Sequence, residues 1–162
     1  MKCVICDASP LIFLAKLNEL DLVAEVLKCE IIVLQSTVDE ILIDRVPEIE
    51  RIRLEKFLQR VTISNFKEID YPSKSLSKSD RAVLNWAIQN QPDWLIADER
   101  LLRRIAQEEG LRVIGFIGVL FAATQQNIRT KAEVRALIND AVGIHSCHIS
   151  VELYQRLMAE LD

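Results

Sequence analysis

Lys2-Cys-Val-Ile-Cys6-Asp7-Ala-Ser9-Pro10-Leu-Ile12 is the stretch on which the fold turns. Residues 2–6 form a short apolar run rich in β-favouring side chains, and the run stops at Asp7, the pattern of a buried strand. Ser9 followed by Pro10 reads as a helix cap and a first-turn proline, which predicts a helix over about 10–17. A buried strand that passes within a few residues into a helix is the opening of an α/β chain, and the rest of the sequence repeats it.

Leu20, Val23, Ala24 and Leu27 fall at helical spacing, and the continuous apolar run 30–34 is the next strand. Ser36-Thr37 reads as the cap of the helix after it, which Pro47 interrupts before a charged amphipathic helix over about 48–60. A short strand is expected at 61–63. Residues 65–78, with Pro72 and three serines, are irregular. A helix over 79–89 leads to a buried strand at 94–97 that ends at Asp98. A helix over 99–109 follows, with Gly110 placed as a left-handed terminator. The strand 112–114, helices over about 118–126 and 130–142, Gly143 as a second terminator and an amphipathic helix over 151–161 complete the chain.

Strands alternating with helices imply right-handed crossovers and a parallel sheet covered on both faces, so the fold class is α/β. At 162 residues, with no internal repeat or linker, the chain reads as one domain, 1–162, with the C-terminal helices from about 130 to 162 as an appendage.

Composition removes whole classes. Half the residues are hydrophobic and only 4 are Gly and 4 Pro, which excludes disorder, collagen-like repeats and a disulfide scaffold. The longest nearly unbroken apolar stretch, 113–123, is far short of the roughly 20 residues a membrane-spanning helix needs. Asp7 and Pro10 interrupt the N-terminal apolar run and no small-residue cleavage site follows, so that run is expected to be mature structure. Four cysteines without an export signal are expected as reduced thiols, and the expected compartment is the cytoplasm. Net charge is −4, so any nucleic-acid binding must rest on local basic groups or on metal ions.

Ligands of open parallel sheets bind beyond the carboxyl ends of the strands, which singles out the acidic residues there. Asp7 follows the first strand and Asp98 the 94–97 strand. Glu40 lies in the first turns of the helix after the second strand, and Asp80 opens the helix after the irregular segment. Four carboxylates converging from separate segments would repel one another unless a cation lay between them, and hard oxygen ligands suit Mg²⁺ or Mn²⁺. Each acid also has a structural reading. Thr37-x-x-Glu40 matches a capping box, Ser77-x-x-Asp80 has a similar form, and Asp98 is placed to cap the helix after it. Asp7 has no such task if Ser9 supplies the cap, and burying it carries a desolvation cost.

The segments Val4-Ile-Cys-Asp-Ala-Ser-Pro-Leu-Ile12, Ser36-Thr-Val-Asp-Glu40, Ser79-Asp80-x-Ala82 and Leu95-Ile-Ala-Asp98-Glu99 stand in the order found in PIN domains. Over about residues 3–123, and again in the tail His148-Ile-Ser-Val-Glu-Leu-Tyr154, the chain resembles the small stand-alone PIN-like proteins whose relatives include bacterial toxin ribonucleases. The resemblance implies a three-layer sandwich around a central parallel sheet. It implies a Mg²⁺- or Mn²⁺-dependent endoribonuclease without a protein nucleophile, in which a cation lowers the pKa of the attacking water. By position, Asp7, Glu40, Asp80 and Asp98 would be the metal-binding carboxylates, Glu99 an additional outer carboxylate and Ser9 a hydroxyl near the site. The toxin relatives imply an RNA substrate, an antitoxin-type protein partner and a homodimer. Leu11, Ile12, Phe13 and Leu14 supply apolar surface that a two-fold contact would cover.

Arg100, Arg103 and Arg104 recur at helical spacing beyond Asp98, and Lys78 and Arg81 flank Asp80, so these five could hold a phosphate backbone. The alternative is a solvated helix face in which Arg100 and Arg104 pair with neighbours such as Glu108. Cys3-x-x-Cys6 and His145-x-Cys147-His148 suggest zinc, but residues three apart on a strand point to opposite faces and cannot share an ion. The chain departs from its look-alikes where Ser79-Asp80 replaces Gly-Glu, and where Glu99 and Leu102 replace a second Asp and a Gly. Those departures favour a second reading, a catalytically degenerate scaffold that binds nucleic acid or protein. A third, phosphotransfer through Asp7 as nucleophile, needs a second Asp where Ser9 stands.

Overall fold

A computed structural model describes residues 2–66 and 75–162. The part of the irregular segment at 67–74 lies outside the described residues. The chain runs β1 (Cys3–Cys6), α1 (Ala8–Lys16), α2 (Asp21–Leu27), β2 (Glu30–Leu34), α3 (Gln35–Ile41), α4 (Glu48–Leu58) and β3 (Thr62–Ser64). It continues through α5 (Lys78–Asn90), β4 (Trp94–Ile96), α6 (Arg100–Glu108), β5 (Val113–Ile114), α7 (Phe116–Gln125), α8 (Lys131–Gly143) and α9 (Val151–Glu160).

The strands form one parallel sheet in the order β3-β2-β1-β4-β5. Successive strand residues point to opposite faces, so each apolar run feeds two cores. Val4 and Cys6, Ile31 and Val33, and Ile96 meet the buried faces of α1, α2, α4 and α7. Ile5, Ile32, Leu34, Leu95 and Ala97 meet those of α5 and α6. The result is the three-layer sandwich expected. Val134, Ile138 and Ala141 of α8 and Leu157, Met158 and Leu161 of α9 are buried in the first of these two cores. Cys3 packs against one face and Cys6 against the other, which separates the two thiols by the thickness of the sheet.

The chain leaves β1 toward β2 and β3 on one side and returns to β4 and β5 on the other. That reversal opens a crevice at the carboxyl ends of β1 and β4. Asp7 and Asp98 stand at those two ends.

Three helix starts differ from expectation, all toward an earlier beginning. Helix α1 starts at Ala8, which puts Asp7 in the cap position with extended backbone and Ser9 inside the first turn. Helix α3 starts at Gln35 directly off β2, so Ser36 and Thr37 lie within it. Burial of Thr37, Val38 and Ile41 sets the phase of that helix, and packing outranks a capping preference worth about 1 kcal/mol. Helix α7 starts at Phe116, ahead of Gly118. Gly110 holds the left-handed conformation, φ +81°, that terminates α6. Gly143 is instead the last residue of α8, and the left-handed turn after it falls on Ser146, φ +57°. Leu11 and Leu14 are fully buried, and Ile12 and Phe13 pack on the same core, so the apolar surface of α1 that suggested a dimer is covered within the chain itself. Among the described residues, no helix is long and apolar enough to cross a membrane.

Candidate functional site

Asp7 is held at the centre of the crevice by the ladder, since its N–H donates to the Ile96 carbonyl at 2.9 Å. Its side chain is 3% exposed and makes no capping hydrogen bond to the helix it precedes. Oδ1 has no hydrogen-bond partner among the described residues. A buried carboxylate oxygen left unsatisfied costs free energy, and the group responds by holding its proton. Burial pushes the Asp7 pKa up to about 7, with the nearby charges of Asp80 and Glu40 adding to the rise and the Ala8 backbone N–H dipole opposing it. Ser9 lies inside the first turn and is not the cap of α1. Asp7 sits in the cap position and does not cap.

Asp80 enters from the other layer, on the first turn of α5. Its N–H donates to Ser77 Oγ at 3.1 Å, so the cap predicted there is present. The Asp80 and Asp7 carboxyls interact, and Asp7 is the one driven more strongly to hold a proton. Burial raises the Asp80 pKa, the Ser77 side chain opposes the rise by hydrogen-bonding the carboxylate, and Glu99 and Glu40 raise it further. Glu40 is free for this because the capping box at Thr37 does not form: Thr37 is buried inside α3, and its Oγ1 has no partner among the described residues.

Asp98 is not the cap of α6. That task falls to Glu99, whose Oε2 accepts from the Leu102 N–H at 2.7 Å, while the Glu99 charge still reaches Asp80. The Asp98 carboxylate turns toward β5, where Oδ1 accepts from the Phe116 N–H at the start of α7 at 3.1 Å. Oδ2 is buried without a partner among the described residues. Burial lifts its pKa to about 6, against the pull of the Phe116 N–H and of the Arg103 cation. Arg103 is itself fixed by donating to the Ala97 carbonyl at 2.9 Å.

The structure thus brings Asp7, Asp80, Glu40 and Glu99 into electrostatic contact and turns Asp98 toward an adjoining cleft. That cleft, about 870 Å³, has Ser9, Asp98, Glu99, Arg100 and Arg103 along its rim. A second hollow of about 760 Å³ lies on the far side, between Ser36, Glu40 and the Ser77 to Ser79 turn with Lys78. Arg104 points away to solvent beside Glu108 at 3.9 Å, the solvated-face arrangement. Arg81 is half-buried in the first turn of α5.

Among the described residues, no group of three or more His, Cys, Asp or Glu is close enough to hold a metal ion. Donor chemistry nevertheless fits a hard divalent cation. The candidate ligands are all carboxylates, two of them carry a buried oxygen without a partner, and their mutual repulsion is what a cation would relieve.

Gly115 is a site residue that sequence reasoning missed. Its backbone is extended, so space rather than conformation requires glycine: a Cβ would lie 2.5 Å from Asp98 Oδ1 and 2.8 Å from Arg103 Nη1. A glycine between a strand and a helix was the available signal. Gly115→Ala is expected to lower stability by about 1 to 3 kcal/mol through overpacking, read by urea unfolding, and to displace Asp98 from the Phe116 N–H. An unchanged urea midpoint would show that the crevice is looser than these distances.

Among curated proteins, no sequence matches this chain. A solved PilT N-terminus domain protein from the hyperthermophilic archaeon Sulfolobus solfataricus P2 is similar in structure, with a TM-score of 0.51 and 16% identity, covering 75% of this chain and 92% of that one. At that identity the likeness concerns the fold alone. The family model described as DUF3368, a PIN domain, matches residues 3–162. Matched over nearly its whole length, and carrying a five-stranded parallel sheet with carboxylates at the reversal of strand order, the chain belongs to the PIN domain family, a superfamily of metal-dependent nucleases.

Proposed function

We propose that the protein is a Mg²⁺- or Mn²⁺-dependent endoribonuclease. One observation carries the reading: Asp7, almost fully buried at the end of the central strand, keeps an oxygen without a hydrogen-bond partner among the described residues while facing the charges of Asp80 and Glu40. A fold retains such a group against its desolvation cost where it has work to do.

Asp7, Asp80 and Glu40 would hold the cation, with Asp98 across the crevice and Glu99 outside them. When bound, a divalent cation supplies a water of lowered pKa and neutralises charge on the phosphate. The chain's own part is to orient and to counterbalance. Arg103 and Arg100 offer guanidinium groups to backbone phosphates, Lys78 and Arg81 add positive charge at the start of α5, and Arg104 adds it to the exposed face of α6. Ser9, on the first turn after Asp7, presents a hydroxyl to the same crevice. By the toxin resemblance we assign the protein to a toxin-antitoxin pair in the cytoplasm, with an antitoxin-type protein partner and a homodimeric state.

The test is thermal. A cation that binds the folded cluster and not the unfolded chain stabilises by mass action, so at a hundred times its Kd Mn²⁺ should add about 2.7 kcal/mol and raise Tm by several degrees. EDTA should remove the shift, and single-stranded RNA should be cut only in its absence. The absence of a metal-holding group of three side chains among the described residues favours the degenerate scaffold instead. That reading expects no shift with Mn²⁺ and RNA binding without cleavage.

A further inference from the structure

We propose that the cleft beside Asp98 is a nucleotide-binding subsite, closed by the C-terminal segment and shaped for one base of a single-stranded nucleic acid flanking the scissile phosphate. This deepens the reading above and rests on it for the phosphate's position.

Four separate parts of the chain build the cleft. They are the first turn of α1, the β4-to-α6 turn, the β5-to-α7 turn and the Ser146 to Ser150 segment between α8 and α9. Its volume of about 870 Å³ lies in the range that encloses a small organic ligand of nucleotide size. The walls divide by chemistry. Phe13, Ile117, Ile149 and Leu153 make an apolar side, and Phe13 is braced by a stacked ring contact with Phe116 at 5.0 Å between centroids. Arg100 and Arg103 line the cleft as well, next to Asp98 and Glu99. An apolar slot with an aromatic edge suits a base, and a pair of guanidinium groups suits the phosphate attached to it. Arg103 commits one N–H to the Ala97 carbonyl, which fixes its planar head without exhausting its five donors.

The C-terminal wall is built, not draped. Cys147 is buried at 7% exposure, and its N–H donates to the Ala141 carbonyl at 2.9 Å. Ser146 before it accepts a left-handed backbone, and Ser150 after it caps α9 through the Leu153 N–H at 3.1 Å. Asp98 contributes to the raised pKa of the Cys147 thiol, after burial, which places this wall against the carboxylate the crevice shares with the cleft. Between these anchors His148 stays exposed on the cleft rim, an aromatic donor positioned to cover a base.

The experiment is methyl and amide NMR of the full chain in EDTA, titrated separately with adenosine monophosphate, inorganic phosphate and a short single-stranded oligoribonucleotide. Adenosine monophosphate and the oligonucleotide are expected to shift Ile117, Ile149, Leu153 and His148. Inorganic phosphate is expected to shift only the Arg100 and Arg103 region. His148→Ala, which removes an exposed side chain, should weaken oligonucleotide binding about five- to tenfold, the effect of one lost stacking contact, with an unchanged melting temperature. Equal shifts from phosphate and from the nucleotide would overturn the base subsite. So would oligonucleotide shifts confined to the Ser36 and Ser79 hollow, or a His148→Ala variant that binds as the wild type. Because no readout uses cleavage, a failed Mn²⁺ response would remove the nuclease reading while shifts in the cleft would still establish the subsite.

Discussion

Asp7→Asn is expected to abolish metal-dependent cleavage of single-stranded RNA while leaving the metal-free protein more stable than wild type. The loss of activity should exceed about a hundredfold, the upper end for losing even an outer partner of a metal ligand. The stability gain follows from the environment of the residue. Asp7 is buried, faces the charges of Asp80 and Glu40, and has an oxygen without a partner among the described residues. Asparagine keeps the shape and removes one charge from a crowded site, so at pH 8 in EDTA the variant should unfold about 1 to 3 kcal/mol less readily. At pH 5, where Asp7 already carries its proton, the gain should disappear. Denaturant unfolding at the two pH values and an RNA cleavage assay in Mn²⁺ provide the measurements. A variant that is destabilised at pH 8 and still cuts RNA would show Asp7 to be a structural acceptor and would remove the catalytic assignment.

Stability of the metal-free protein should fall as pH rises from 5 to 8, the reverse of the behaviour of paired or hydrogen-bonded carboxylates. The sign comes from two folded-state pKa values that lie above the ordinary 3.8, about 7 for Asp7 and about 6 for Asp98, both raised chiefly by burial. Below pH 4 each group is protonated whether the chain is folded or not. Between 4 and the folded pKa the native state holds a proton that the unfolded chain has released, so stability declines with pH across that interval. Above pH 7 both states are ionised and the decline is complete. At 1.36 kcal/mol per unit, two units for Asp7 and one for Asp98 within this window amount to a loss of about 4 kcal/mol. Saturating Mn²⁺ should flatten the profile, because a bound cation favours the ionised carboxylates that protonation otherwise relieves. A metal-free profile that rises from pH 5 to 8 would mean that these carboxylates are paired rather than buried alone.

Periodicity is a local property, and what depends on it was legible in the chain. The apolar runs at β1, β2 and β4 read as strands buried on both faces, because both alternate sets of side chains are apolar and the runs are short and rich in β-favouring residues. Strands alternating with helices then required parallel pairing, and the end of each strand marked where Asp7 and Asp98 would stand. Gly110 as a terminator likewise depends on a few neighbouring residues.

Choices between equivalent local options were settled by packing. The sequence offers Ser9, Thr37 and Asp98 as caps, and none of the three caps: Asp7 and Leu34 hold the cap positions of α1 and α3, and Glu99 caps α6. A cap is worth about 1 kcal/mol, whereas the phase of a helix decides which of its side chains are buried at 1.5 to 3 kcal/mol each, so burial prevails. The direction of the Asp98 carboxylate is a long-range result of the same kind, since its partner Phe116 lies 18 residues away on another strand-to-helix turn. Gly115 matters only because two side chains from α6 and the end of β4 occupy the space a methyl group would need. Four acids at strand and helix ends could be named from the sequence, but whether their charges meet depends on the depth at which the crevice buries each one, and depth is a property of the assembled layers.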